Sequence, residues 1–112
     1  MLKILNDNRR KGIMLEISKK TENTVLEVAL KGRLDTSTSP ELEQFLKDNL
    51  TGVTELVIDL SDLEYISSAG LRVLLSAHKM MAKQGSMRLL HANEVVMEVF
   101  EVTGFIDILN IE

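Results

Sequence analysis

The chain has 112 residues, 45% of them apolar, with no tryptophan and no cysteine. That length makes one domain with a single core of Leu, Ile, Val and Met, and the missing cysteines exclude disulfides, thiol catalysis and thiolate metal sites. A net charge of −4, with no basic stripe carrying aromatics, argues against nucleic acid. No apolar run reaches the ~18 residues of a membrane span, and the N-terminus lacks a signal-peptide apolar region. The expectation is a cytoplasmic protein without membrane insertion, whose partners are proteins.

Residues 1–12 (MLKILNDNRRKG) read as an N-terminal extension, flexible or forming an extra edge segment, because their Asn, Asp, Arg and Lys cluster is loop chemistry. Residues 13–112 read as the single domain. Residues 13–19 alternate apolar and polar as a half-buried strand does, and Thr21-Glu22-Asn23 reads as a tight turn. Leu26, Val28 and Leu30 share one face of a second strand, so the pair is an expected antiparallel hairpin closed by Gly32-Arg33-Leu34-Asp35. After Thr36-Ser37-Thr38-Ser39, Pro40 stands at a helix start with Ser39 as the cap and Glu41 in the first turn. Leu42, Phe45, Leu46 and Leu50 then make one buried stripe, and Gly52 marks the exit.

A third strand is expected over 54–60, followed by an acidic solvated loop carrying Asp59, Ser61, Asp62 and Glu64. A second helix runs from about Ser68 to Gln84, with Leu71, Leu74, Leu75, His78 and Met81 inward and Arg72, Ser76, Lys79 and Lys83 outward. Val73, Ala77 and Met80 widen its apolar face toward neighbouring helices or a partner. Gly85 is expected to end that helix in a left-handed conformation. Met87 to His91 reads as a fourth strand, Asn93 as the cap of a third helix carrying Val96, Val99 and Phe100, and Gly104 as its end. Residues 105–111 read as a short strand or a packed extension.

The stretch 54–84 organises the chain. Ser67 or Ser68 can cap the orphan N–H groups of the helix start, and Ala69 and Gly70 keep that turn thin enough for close approach. A hydroxyl in that position is either a cap or a place for a phosphate. The run Asp59-Leu60-Ser61-x-Leu63-x-Tyr65-Ile66-Ser67-Ser68-Ala69-Gly70-Leu71-Arg72-Val73-Leu74-Leu75 resembles the signature of the STAS domain, and more narrowly that of bacterial anti-sigma factor antagonists. The stretch Gly32-Arg33-Leu34-Asp35 matches the same family, and the resemblance spans roughly residues 14 to 111.

The resemblance implies an α/β STAS fold, with a mixed sheet of four or five strands begun by an antiparallel hairpin and helices mainly on one side. It implies a non-catalytic switch that binds an anti-sigma factor with serine kinase activity and releases a sigma factor, reset by a PP2C-type phosphatase. Aligned on Gly70, the phosphorylated serine is Ser68, with Ser67 the less favoured alternative; Ser67 stands where the family most often has aspartate. Asp35, Asp59, Ser67, Ser68, Gly70 and Arg72 are the expected partner surface, with Asp35 and Asp59 shaping the loop seen by the kinase or phosphatase. No cofactor, metal or catalytic residue is expected. His78 and His91 have no ligand spacing to carboxylates and read as core or boundary residues. Asp59 ends a buried strand as a receiver-domain phosphoacceptor would, but the acidic pair and late lysine of a receiver are missing. The alternative is a STAS scaffold subunit docked on a transporter or signalling complex, in which Ser68 only caps the helix.

Overall fold

The computed structural model describes residues 3–4 and 15–112. In chain order these form β1 (Lys3–Ile4), β2 (Leu15–Glu22), β3 (Val25–Leu34), α1 (Ser39–Asn49), β4 (Glu55–Ile66), α2 (Ser68–Ala82), β5 (Ser86–Leu90) and α3 (Glu94–Thr103), then a 3-10 turn over Phe105–Asp107. The sheet takes its strands in sequence order: β1, β2 and β3 are antiparallel neighbours, and β3–β4 and β4–β5 are parallel. Lys3–Ile4 pairs with Ser18 and Lys19, an extra edge segment at the start of the chain; the rest of the 1–12 extension lies outside the described residues.

Alternation explains the layers. Leu26, Val28 and Leu30 of β3 point one way, in register with Leu56 and Ile58 of β4 and Met87 and Leu89 of β5. Leu42 and Leu46 of α1, Leu71, Leu74, Ala77 and Met81 of α2, and Val96 and Phe100 of α3 join that same cluster. The helices therefore cover one side of the sheet. Val57 points to the other side, between Glu27 and Arg88 in register, and stays outside the cluster. There Arg88 bonds Glu55 at 2.9 Å and Glu112 at 3.2 Å. The C-terminal tail closes the β5 edge, with Leu89 N–H donating to Asn110 and Glu112 N–H donating to Leu89. The tail is thus a packed extension with Leu109 buried.

Several boundaries differ from expectation. The turn of the first hairpin is Asn23-Thr24, one step later, because Glu22 and Val25 still pair; Asn23 takes φ 57, which its short polar side chain tolerates. The cap of α1 is Thr38 rather than Ser39, whose hydroxyl instead donates to the Asp35 carbonyl.

The larger correction is β4. Residues 59–64 are not a loop, because the strand continues to Ile66. Its pairing with β3 shifts between Ala29 and Lys31 and again between Gly32 and Arg33, and β4 spends one extra residue at each shift. These bulges bring Leu60, Leu63 and Ile66, spaced by three, all into the core while Ser61, Asp62 and Glu64 stay exposed.

Helix α2 is also rolled slightly from its expected orientation. Val73 and Ala77 are buried, whereas Leu75 and His78 are half-buried. Asn93 and Gly104 cap α3 as their types suggest, through Asn93 Oδ1 accepting from Val96 N–H at 2.8 Å and Gly104 at φ 82.

Gly85 is not left-handed. It is required for another reason: a Cβ there would stand 1.8 Å from the Thr54 carbonyl oxygen, whose partner is the Ser86 N–H. Gly85→Ala must push β5 away from the start of β4. The expected outcome is a loss of about 3 kcal/mol, measured by urea unfolding, with no change in the m-value.

Candidate functional site

The site grows from the ends of two parallel strands. Leu34 ends β3 and Ile66 ends β4, paired in register, and from there the chain enters α1 and α2 respectively. Ser67 N–H donates to the Leu34 carbonyl at 2.9 Å, so the start of α2 is bolted to the end of β3. Ser67 is the N-cap in extended conformation, and its Oγ accepts from Gly70 N–H at 3.4 Å. Ser68, the first residue of α2, is exposed, and its hydroxyl has no hydrogen-bond partner among the described residues. The two serines thus divide the local chemistry. Ser67 terminates the helix, and Ser68 presents a free hydroxyl beside the positive end of the helix dipole.

Arg72, four residues after Ser68 on the same helix face, is exposed. Gly70 is not exposed. It is buried, and a Cβ there would lie 2.8 Å from Leu34 Cγ, 2.9 Å from Ile66 Cγ1 and 3.0 Å from the Leu34 carbonyl oxygen. The thin turn serves close approach to its own sheet, and the expected partner contact by Gly70 is corrected accordingly.

Asp35 organises the loop beside Ser67. Its Oδ1 accepts from the Ser37 hydroxyl at 2.8 Å, Ser37 N–H at 3.0 Å and Thr38 N–H at 3.1 Å. Partial burial pushes the carboxyl up, but the Ser37 hydroxyl, the Thr38 and Ser37 N–H groups and the Thr38 hydroxyl together outweigh it and hold Asp35 below its ordinary value. Thr38, itself buried, donates to the Arg33 carbonyl at 2.9 Å and accepts from Asp35 N–H at 2.9 Å. Arg33 lies over the Tyr65 ring at 4.5 Å from its centre, and its Nε is 3.7 Å from Asp35 Oδ2. Thr38, Arg33 and Tyr65 join this cluster although none of them is among the residues expected on the partner surface; Arg33 stands within the family-matching stretch 32–35 and Tyr65 one residue before the strand end at Ile66.

Asp59 stands elsewhere. It is in register with Ala29 and Leu90, on the uncovered side of the sheet, and Ile66 is seven residues further along β4, roughly 20 Å of strand. It cannot shape the loop around Ser68. Its Oδ1 accepts from Ser61 N–H at 2.9 Å and lies 3.2 Å from His91 Nδ1. His91, expected as a core or boundary residue, is exposed, and the carboxylate it meets comes from the neighbouring strand. Burial pushes the Asp59 carboxyl up, and Ser61 and His91 bring it below the ordinary value. Among the described residues no group of three or more His, Asp and Glu side chains could hold a metal ion.

The Asp35 hydrogen bonds carry a pH signature. A carboxyl with a lowered folded pKa stabilises the fold above its unfolded value and loses that contribution as pH falls through the folded one. Asp35→Asn is therefore expected to melt about 5 °C below the parent at pH 7. The gap should close as the pH drops below the ordinary carboxylate range, because the parent is then protonated too. Thermal melts of both proteins across that acid range check it.

Comparison with known proteins agrees with this geometry. The STAS domain family model matches residues 16–112. The anti-sigma-B factor antagonist of Bacillus subtilis is 34% identical over 94 residues, covering 83% of this chain and 85% of its own. The crystal structure of an anti-sigma factor antagonist from Mycobacterium paratuberculosis superimposes with a TM-score of 0.76 at 21% identity, covering 99% of this chain and 85% of that one. SpoIIAA of Bacillus in its phosphorylated form superimposes with a TM-score of 0.67 at 17% identity, covering 86% of this chain and 90% of that one. The last two likenesses concern the fold, and the first concerns the sequence that builds the site. The chain belongs to the STAS domain family and groups there with the bacterial anti-sigma factor antagonists.

Proposed function

We propose that this protein is an anti-sigma factor antagonist, a binding switch that docks an anti-sigma factor when Ser68 is unmodified and releases it when Ser68 carries a phosphate. The observation that carries the reading is the division between the two serines: Ser67 is spent on the cap, while Ser68 is exposed and unbonded at the same helix start. The partner is an anti-sigma factor that is also the serine kinase, and a PP2C-type phosphatase restores the hydroxyl. The protein itself is non-catalytic and works in the cytoplasm. Among the described residues no helix is long and apolar enough to cross a membrane.

The physics of such a switch follows from position. A phosphate on Ser68 adds ~1.5 to 2 negative charges. At the first turn of α2 the helix dipole tolerates them, and no acidic residue occupies that turn, so the fold survives. At a docked interface the same charges act on the partner. A doubly charged phosphate ~7 Å from one partner carboxylate, at an effective dielectric of ~40, costs roughly 2–3 kcal/mol. That is about 30- to 150-fold in affinity. No backbone movement is required. Asp35 and Thr38 hold the neighbouring loop, and Arg72 offers the partner a cation on the face that Ser68 shares.

Ser68→Asp is expected to weaken binding of the anti-sigma partner by at least about tenfold in calorimetry, while melting within a few degrees of the parent. Ser68→Ala should bind like the parent and resist the kinase. Unchanged affinity for Ser68→Asp would contradict the electrostatic account. It would favour instead a constitutive STAS scaffold in which that hydroxyl has no regulatory part.

A further inference from the structure

Two adjoining concavities between α1 and α2 share Glu43, Val73 and Ser76, and so form one groove. It opens beside Ala69 and Arg72, one turn from Ser68, and ends at Lys79 and Met80. From Ala69 to Met80 along α2 is ~16 Å, three turns of helix. Its lower half is floored by Leu46, Val73 and Met80. Its charges are unlike those of the molecule as a whole. The chain has net charge −4, yet α2 contains no Asp or Glu. Arg72, Lys79 and Lys47 line the groove against a single carboxylate, Glu43, which already lies 3.8 Å from Lys47. Lys79 and Arg72 are exposed and appear in no salt bridge among the described residues.

A groove three turns long, apolar along its lower half and lined by Arg72, Lys47 and Lys79, fits one kind of occupant well. We infer that the α1–α2 groove docks an amphipathic helix of the partner that carries Asp or Glu beside its apolar stripe. The inference rests on the partner-docking reading above and deepens it, by giving the partner element a chemistry. It also gives the switch a target, since an acidic helix whose end reaches Arg72 would meet the Ser68 phosphate. A basic segment would be repelled by Arg72, Lys47 and Lys79, and nucleic acid would find no use for the apolar floor.

The test is an amide correlation NMR titration of the whole chain with a synthetic amphipathic peptide of about 18 residues, a leucine stripe flanked by glutamates, and with its lysine counterpart. The glutamate peptide is expected to move the amides of Leu46, Val73, Ser76 and Met80, and to bind about tenfold or more tighter than the lysine peptide. Lys79→Glu, an exposed change, should weaken the glutamate peptide about fivefold or more. Shifts scattered away from the groove, equal binding of both peptides, or indifference to Lys79→Glu would overturn the inference. So would the same shifts appearing when the protein alone is concentrated, because a second copy would then be the occupant. Ser68→Asp separates the two readings. Sensitivity to both Lys79→Glu and Ser68→Asp supports groove and switch together, while sensitivity to Lys79→Glu alone keeps the groove and removes Ser68 as its control.

Discussion

The site depends on how closely the first turn of α2 lies against the ends of β3 and β4. Ser67 N–H reaches the Leu34 carbonyl at 2.9 Å, and Gly70 has no room for a Cβ above Leu34 and Ile66. That junction fixes the helix start relative to the Asp35 loop, which is itself clamped by Ser37 and Thr38. It also leaves Ser68 the next residue outward, with its hydroxyl unspent. Exposure of Ser68 is thus a by-product of burying Gly70 and using Ser67 as the cap. A side chain at position 70 would lift the turn and alter the presentation of Ser68.

Charge is distributed unevenly over the helices. Arg72 and Lys79 on α2 face solvent with no acid on their own helix, whereas α3 carries Glu94, Glu98 and Glu101 and no basic residue. A negative charge added at Ser68 falls on the cationic end of this pattern. There it is tolerated by the helix and by Arg72, and is unfavourable only to an acidic partner. Fold stability and partner affinity can therefore respond to the same phosphate with different magnitudes.

Much of this was legible in the chain. The hairpin alternation, the stripe of α1, the start of α2 at Ser67-Ser68 and the caps Asn93 and Gly104 each obey a local rule, and the structure keeps them. What was hidden was non-local. The polar residues 59–64 imitate a loop because two bulges break the period of two, and only the pairing with β3 shows that Leu60, Leu63 and Ile66 all turn inward. Gly85 looks like a helix terminator in sequence, but Thr54, on a different strand, is what forbids its side chain. Asp59 and His91 meet only because β4 and β5 are parallel neighbours, so neither the pairing nor the distance of Asp59 from Ser68 could be read from spacing. Family resemblance grouped Asp59 and Gly70 with the surface around Ser68, yet Asp59 lies seven residues back along β4 and Gly70 is buried against Leu34 and Ile66.

A switch of this kind requires Ser68 to be the covalently modified residue. Phosphosite mapping by mass spectrometry, after the intact chain is incubated with ATP and lysate of its source organism, tests it most directly. Phosphate is expected on Ser68 and none on the Ser68→Ala protein. Phosphate on Ser67 or elsewhere, or none at all from a lysate that phosphorylates other serines, would contradict it.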